Sequence, residues 1–140
     1  MYSTLLKSVI FDSNIWISFF LKTDIFHYEA IRIIEKFEKR KYKIYIPSIV
    51  LFEIITVLTK KGIDINQTKK IINHIQSTNK YDIYSIDREE LLELALKHAC
   101  QIKLKSLDYL IFLHYVKLNP RNFITFDANL LKYINLYKNP

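Results

Sequence analysis

The hydrophobic positions of the chain first form a short apolar run that ends at an acid. Val9-Ile10-Phe11 has the pattern of a buried strand, and Asp12 follows it directly. A longer apolar stretch over residues 15–21 predicts a helix. Ser13 and Asn14 stand between the two, and such side chains start helices because they accept hydrogen bonds from the first free backbone N–H groups. The pattern therefore predicts a strand, an acid at its carboxyl end, and a helix.

The rest of the chain continues this alternation of strands and helices. Apolar side chains at helical spacing predict helices at about 24–40, 49–58, 66–77, 87–99, 107–118 and 128–133. Runs of β-forming residues predict strands at 43–46, 82–86 and 123–126, with a further edge strand at 134–137. Strands separated by helices favour a parallel sheet covered on both faces. We predict an α/β fold with one domain over residues 1–140.

A second strand end repeats the first one. Phe126-Asp127-Ala128-Asn129 has the same Phe-Asp-x-Asn order as Phe11-Asp12-Ser13-Asn14. The carboxyl ends of parallel strands meet at one edge of the sheet, where α/β folds bind ligands. A helix cap explains Asp12 slightly better when it is considered alone. The repeat instead predicts two carboxylates directed at one place.

Glu53 and Asp108 also stand in apolar surroundings. Glu53 interrupts the apolar run 49–55 with no Lys or Arg three or four residues away, so its partner must come from another element. Asp108 lies in the first turn of an apolar helix, where the helix dipole and Lys105 offer a simpler explanation for it alone. Carboxylates about 4 Å apart repel by about 4 kcal/mol at an effective dielectric near 20. A cluster would keep protons or share a hard cation, Mg²⁺ or Mn²⁺.

Cysteine and histidine usage argues against a thiolate or zinc site. The one cysteine, Cys100, cannot form an internal disulfide, and its apolar helical surroundings predict a buried thiol. His98 lies on the same apolar stripe and is predicted to be a core residue. The apolar runs near Lys7 and over 44–58 are interrupted by charged residues or proline, so no membrane segment is predicted and the chain is expected in the cytoplasm.

The formal charge of +7 favours polyanionic partners. Basic residues cluster at 36–43 and again at 60–70. Solvated helix ends in a lysine-rich protein explain these clusters equally well, so both interpretations stay open. Tyr42 and Tyr45 are candidates for stacking on bases, whereas Trp16 is predicted to pack in the core.

Four segments together resemble the PIN-domain ribonucleases, and especially the VapC-type toxins of toxin–antitoxin pairs. In chain order, they cover residues 9–14, 46–58, 104–110 and 124–127. Each motif is weak alone, but their order, spacing and total length match over essentially the whole chain. The resemblance implies a three-layer α/β/α sandwich with a central parallel sheet.

The resemblance also implies a chemistry, in which one or two Mg²⁺ or Mn²⁺ ions activate water to hydrolyse RNA. The four acids in apolar surroundings would be the catalytic residues and metal ligands: Asp12, Glu53, Asp108 and Asp127. Asn14 and Thr125 are candidates for orienting these carboxylates, and Ser13 is a weaker one. The implied partners are an RNA substrate, a small antitoxin that blocks the acidic site, and a second copy in a homodimer.

Functions of other classes fit parts of this pattern. A non-catalytic PIN-like module would bind RNA or protein through its basic face, although it would have no use for an unpaired Glu53. A phosphatase would want a second aspartate where Asn14 stands. A phosphate-accepting receiver would want an acceptor after its third strand, where Asp87 is better explained as a helix cap. We predict a metal-dependent endoribonuclease, with the binding module as the alternative.

Overall fold

The computed structural model describes residues 6–138. In this range the strands are β1 (Ser8–Phe11), β2 (Lys43–Pro47), β3 (Tyr81–Tyr84) and β4 (Asn122–Ile124). The helices are α1 (Ser13–Phe20), α2 (His27–Lys39), α3 (Ser48–Lys60), α4 (Ile65–Ser77), α5 (Arg88–His98), α6 (Ser106–Leu118) and α7 (Ala128–Lys138). The strands form a parallel sheet in the order β3-β2-β1-β4. The predicted α/β/α sandwich with a central parallel sheet is confirmed.

The core is built around the central strand β1. Its residues Val9, Ile10 and Phe11 are fully buried, as expected for a strand covered on both faces. The ring of Phe11 packs edge-on against Trp16, with centroids 5.5 Å apart. Trp16 is fully buried, so its predicted role in core packing is confirmed. Among residues 6–138, no helix has the length and apolar character to cross a membrane.

The direction of the chain through the sheet reverses at β1. From β1 the chain moves to β2 and then β3 on one side, and β4 is added on the other side of β1. Such a reversal opens a crevice at the carboxyl ends of the two strands. Asp12 directly follows β1, and its backbone N–H donates to the carbonyl of Ile124 at the end of β4 (2.9 Å). The strand ends that carry the repeated Phe-Asp motif are therefore neighbours.

The predicted edge strand at residues 134–137 is wrong, because α7 continues through these residues to Lys138. Leu130 and Ile134 are buried four residues apart on one face of this helix. Packing of that face overrides the β-forming composition of the segment. The predicted strands at 82–86 and 123–126 also lie one or two residues too far along the chain.

Cys100 is exposed, and the predicted buried thiol is wrong. α5 ends at His98, so the helical pattern that placed Cys100 in the core does not extend to it. His98 itself is buried as predicted, and its ring packs edge-on against Phe112 with centroids 5.9 Å apart. α5 thus ends one residue before the end predicted from the sequence.

Lys41, between α2 and β2, has a left-handed backbone with φ 58°. This conformation costs a residue with a side chain about 1–2 kcal/mol, because its Cβ approaches the following carbonyl oxygen. Lys41→Gly is expected to raise the free energy of unfolding by about 0.5–1 kcal/mol after the entropy of the more flexible unfolded chain is subtracted. Urea unfolding measures this change. The control Lys39→Gly, at the last residue of α2, should lower stability. An unchanged midpoint for Lys41→Gly would contradict the assignment of strain.

Candidate active site

The four acids singled out in the sequence line one cavity of about 320 Å³ at the carboxyl edge of the sheet: Asp12, Glu53, Asp108 and Asp127. Each comes from a different element. Asp12 follows β1, Asp108 lies in the first turn of α6, and Asp127 immediately precedes α7. Glu53 lies in the second turn of α3 rather than its first, because that helix begins at Ser48. The fold thus brings together side chains that are up to 115 positions apart.

Asp12 is both a helix cap and a wall of the cavity. Its side chain is buried, Oδ1 accepts from the backbone N–H of Ser13 (2.7 Å), and Oδ2 accepts from the hydroxyl of Thr125 (2.7 Å). Burial raises the pKa of Asp12 above its ordinary value, the two hydrogen bonds lower it, and repulsion from Asp108 and Asp127 raises it again. The net effect is a raised pKa, so the folded protein disfavours the ionised form of Asp12.

The hydroxyl of Thr125 links the two strand ends. It donates to Asp12, and it accepts from the side-chain amide of Asn14 (3.2 Å) and from the backbone N–H of Asp127 (2.9 Å). The Asn14 carbonyl oxygen in turn accepts from the backbone N–H of Phe126 (3.2 Å). Asn14 and Thr125, the two candidates for orienting the carboxylates, therefore contact each other, and Thr125 contacts the carboxylate of Asp12 and the backbone of Asp127.

Glu53 is partly buried, and the hydroxyl of Ser13 donates to its Oε1. The partner that the sequence required from another element is thus a neutral hydroxyl group. Burial, together with the smaller repulsion from Asp12, Asp108 and Asp127, raises the pKa of Glu53 to about 7. Near neutral pH this carboxylate is readily protonated when no cation is present.

Asp108 and Asp127 differ in how the protein engages them. The Oδ1 atom of Asp127 caps α7 by accepting from the backbone N–H groups of Asn129 (2.9 Å) and Leu130 (3.2 Å). The carboxylate of Asp108 accepts no hydrogen bond from any of residues 6–138. Burial raises the pKa of Asp108, repulsion from Asp127 adds to this, and Lys105 opposes it. Asp108 is therefore the acid of the set that is most available to a ligand.

Several further residues that line the cavity were not recognised in the sequence as part of a site, among them Asp24, Phe26 and Lys61. The sequence predicts a helix from about residue 24, but α2 begins only at His27, and Asp24 organises the preceding loop. Lys61 belongs to one of the basic clusters, and nothing in its local pattern distinguishes it from the other lysines. Loop residues carry no periodicity, so the sequence offered no direct means of placing them.

The donor set of the cavity fits a hydrated hard cation. Among residues 6–138, no three His, Cys, Asp or Glu side chains stand close enough together to form a ready-made metal cluster. Mg²⁺ does not require such a cluster, because it retains several waters and binds through one or two carboxylates. The available oxygen donors suit Mg²⁺ or Mn²⁺ rather than a thiophilic metal. A cation would also offset the burial and the mutual repulsion that together raise the pKa values of Asp12, Glu53 and Asp108.

A larger cavity of about 480 Å³ lies beside His98 and Tyr137. Its lining contains one imidazole, the side-chain amide of Gln101, and aromatic or aliphatic side chains, with no carboxylate among the described residues that form it. It therefore lacks the converging charged groups that a hydrolytic site needs.

The chain and its fold are similar to known proteins. A family model described as the PIN domain matches residues 9–135. Among solved structures, the fold is similar to that of VapC20 from Mycobacterium tuberculosis, a toxin that cleaves the sarcin–ricin loop. The TM-score is 0.73 at 18% sequence identity, and the match covers 90% of this chain and 95% of that chain. By sequence, the chain matches none of the curated proteins searched.

Proposed function

The chain belongs to the PIN-domain family, and from this premise we propose that it is a metal-dependent endoribonuclease and the VapC-type toxin of a toxin–antitoxin pair. The observation that carries the proposal is the single cavity lined by Asp12, Glu53, Asp108 and Asp127. Its location at the reversal point of a parallel sheet is where such folds bind ligands. The similarity in fold to the toxin VapC20 supports the same function.

The four carboxylates would hold one or two Mg²⁺ or Mn²⁺ ions, directly or through water. When bound, such an ion lowers the pKa of a coordinated water and offsets the charge that develops on the phosphate. Thr125 and Asn14 keep Asp12 in one orientation through their hydrogen bonds. Ser13 does the same for Glu53, so the protein holds both carboxylates in place before the substrate arrives.

The proposal includes three partners. RNA, the substrate, is a polyanion that the formal charge of +7 attracts, and the cytoplasm is where the protein would meet it. A small antitoxin would inhibit the enzyme by covering the acidic cavity. A second copy would form a homodimer. The family membership and the fold of VapC20 support the toxin assignment from which these partners follow.

Cleavage of total RNA by the purified, antitoxin-free protein tests the proposed function. We expect discrete fragments with Mg²⁺ or Mn²⁺ and none with EDTA. Asp108→Asn is the matched inactive variant, because no residue in the range 6–138 donates a hydrogen bond to the Asp108 carboxylate and the substitution should leave the fold intact. If wild-type protein binds RNA but does not cut it with either metal, the non-catalytic binding module is the better description.

Thr125→Val is expected to weaken Mg²⁺ binding by roughly 10- to 100-fold, the usual effect of removing a group that orients a metal ligand. Valine preserves the shape of the side chain but cannot donate to Asp12 or accept from Asn14. The Mg²⁺ concentration that gives half-maximal cleavage measures the change, and Thr125→Ser, which retains the hydroxyl, should remain near wild type. Equal Mg²⁺ dependence in the Val and Ser variants would show that this hydroxyl does not support the metal site.

A further inference from the structure

Two phenylalanine rings form one wall of the carboxylate cavity. Phe26 lies in the loop before α2 and Phe126 follows β4, and both line the cavity with Asp12 and Asp127. Their ring centroids are 5.0 Å apart and their planes are tilted by 34°. Phe126 is partly buried against the core, whereas 43% of Phe26 is exposed. Neither core packing nor a metal site accounts for an exposed aromatic side chain at this place.

The loop that carries Phe26 is held in a defined conformation. The Oδ1 atom of Asp24 accepts from the hydroxyl of Ser18 (3.0 Å) and from the backbone N–H of Phe26 (2.8 Å). Next along the chain, the ring Nδ1 of His27 is 2.8 Å from the backbone oxygen of Ser18, and this imidazole is buried. Because the loop is fixed to α1 in this way, a ligand that stacks on Phe26 loses little affinity to ordering of the protein.

The cavity also carries a positive charge that the metal site does not require. Lys61, directly after α3, lines the same cavity and is exposed. An ammonium group binds phosphate as a point charge. A surface made only of carboxylates would instead repel the phosphate. A cation together with an aromatic wall is the arrangement by which proteins hold the backbone and bases of a single strand.

We propose that Phe26 and Phe126 form a base platform, on which the nucleobase next to the scissile phosphate stacks. This inference rests on the proposed ribonuclease function and specifies its substrate. In A-form RNA the bases are paired inside the helix and side chains cannot enter the deep, narrow major groove, so only an unpaired base can reach the two rings. The substrate is therefore RNA with an unpaired nucleotide at the cleavage site. Every base has a π face, so the platform selects unpaired nucleotides without distinguishing one base from another.

A short RNA that contains a mapped cleavage site provides the test. One 2-aminopurine is placed in turn at each nucleotide beside the scissile bond, and Asp108→Asn protein is used to bind this RNA without cutting it. We expect strong fluorescence quenching at one position. Adding Phe26→Leu should abolish the quenching because leucine has no aromatic face, whereas adding Phe26→Tyr should retain it. In otherwise wild-type protein, Phe26→Leu should lower kcat/KM by about 5- to 150-fold, chiefly through KM, as expected for one lost base stack.

Ile25→Ala is the matched control for a lost apolar side chain in this loop. Ile25 is 89% exposed and is not among the described residues that line the cavity, so its removal should leave kcat/KM unchanged. Thermal unfolding of each variant shows whether it is folded. In a second substrate the stacked nucleotide is made abasic. With wild-type protein, kcat/KM for this RNA should fall by the same factor as Phe26→Leu causes with the intact RNA. Combining the abasic RNA with Phe26→Leu should then lower kcat/KM no further.

Several outcomes would overturn the base platform. If Phe26→Leu retains the kcat/KM of the wild-type protein, the base platform is wrong. It is also wrong if the mapped site is cut equally well in single-stranded and in fully duplex RNA. If Phe26→Leu cuts normally but resists an inhibitory protein, the wall binds that protein's apolar side chain instead. If the wild-type protein cuts RNA while these variants behave alike, only the platform fails. If the wild-type protein cuts no RNA with either metal, the proposed function is wrong, and the base platform, which rests on it, is wrong as well.

Discussion

Asp12→Asn is expected to reduce metal-dependent RNA cleavage by about 100-fold or more while the protein stays folded. Asparagine keeps the shape of the side chain, and its carbonyl oxygen can still cap α1 through the backbone N–H of Ser13. It removes the negative charge that a divalent cation needs, and loss of one such transition-state contact typically costs about 10²- to 10³-fold in rate. It also removes one source of repulsion acting on Glu53. The amide nitrogen cannot accept the hydrogen bond that the Thr125 hydroxyl donates to Asp12, and this loss offsets the relieved repulsion. Without metal, the variant should therefore be about as stable as wild type.

Initial cleavage rates with Mg²⁺ and thermal unfolding in EDTA separate the two roles of Asp12. Asp12→Ala is the informative comparison, because it removes both the charge and the helix cap. That variant should lose activity and also about 1 kcal/mol of stability, the usual cost of a lost cap. If Asp12→Asn unfolds while still cutting RNA in its folded fraction, Asp12 is mainly a structural cap and the assignment of the site is wrong.

The metal-free protein is expected to become less stable as pH rises through about 7. Glu53 has a pKa of about 7 in the folded chain and an ordinary value of 4.5. The fold therefore holds a proton on Glu53 that the unfolded chain has released. The resulting stabilisation is fully present below the ordinary value and is lost as pH rises through about 7. Partial exposure moderates the effect, so we expect a change on the order of 2 kcal/mol between pH 5 and pH 8.

Thermal unfolding in EDTA across this pH range measures the contribution of Glu53. Glu53→Gln has no group to titrate at this position, so its stability should depend less on pH and exceed that of wild type at pH 8. Glu93→Gln, an exposed acid of α5, is the control and should keep the wild-type slope. Saturating Mg²⁺ should reverse the dependence, because the cation binds the ionised carboxylates. If stability depends equally on pH in the wild type and in Glu53→Gln, the group responsible for the pH dependence is not Glu53.

The features that could be predicted from the sequence depend on local pattern. The apolar run before Asp12 and its repeat before Asp127 identified two strand ends, because strand and helix periodicities change abruptly there. Glu53 was recognisable because it lacked a cation within one helical turn. The prediction that Asp12 and Asp127 share one region required only the general rule that parallel strands end at the same edge of a sheet. The resemblance to the PIN-domain ribonucleases added Glu53 and Asp108.

The features that could not be predicted depend on contacts between distant elements. Ser13 and Glu53 are 40 residues apart, so no local pattern indicated that a hydroxyl group would be the partner of this carboxylate. Lys61 resembles every other surface lysine until α3 is placed beside the cavity. The aromatic wall depends on a loop whose shape is set by the hydrogen bonds of Asp24. The extension of α7 shows the same limit, since packing decided between two conformations that its composition allowed.

The order of residues around the site has a consequence for synthesis of the protein. The ribosome synthesises Asp12 and Glu53 early, whereas β4 and Asp127 are among the last parts of the fold to be synthesised. Until β4 is present, the edge of β1 opposite β2 has no neighbouring strand. We infer that a growing chain carries an incomplete site, so that the ribonuclease proposed above would not degrade the message from which it is being translated. Chains stalled at residue 118 should be inert toward RNA, whereas chains extended past residue 138 by a linker long enough to clear the ribosomal exit tunnel should cut it. Activity from the stalled chains would show that β4 and Asp127 are dispensable.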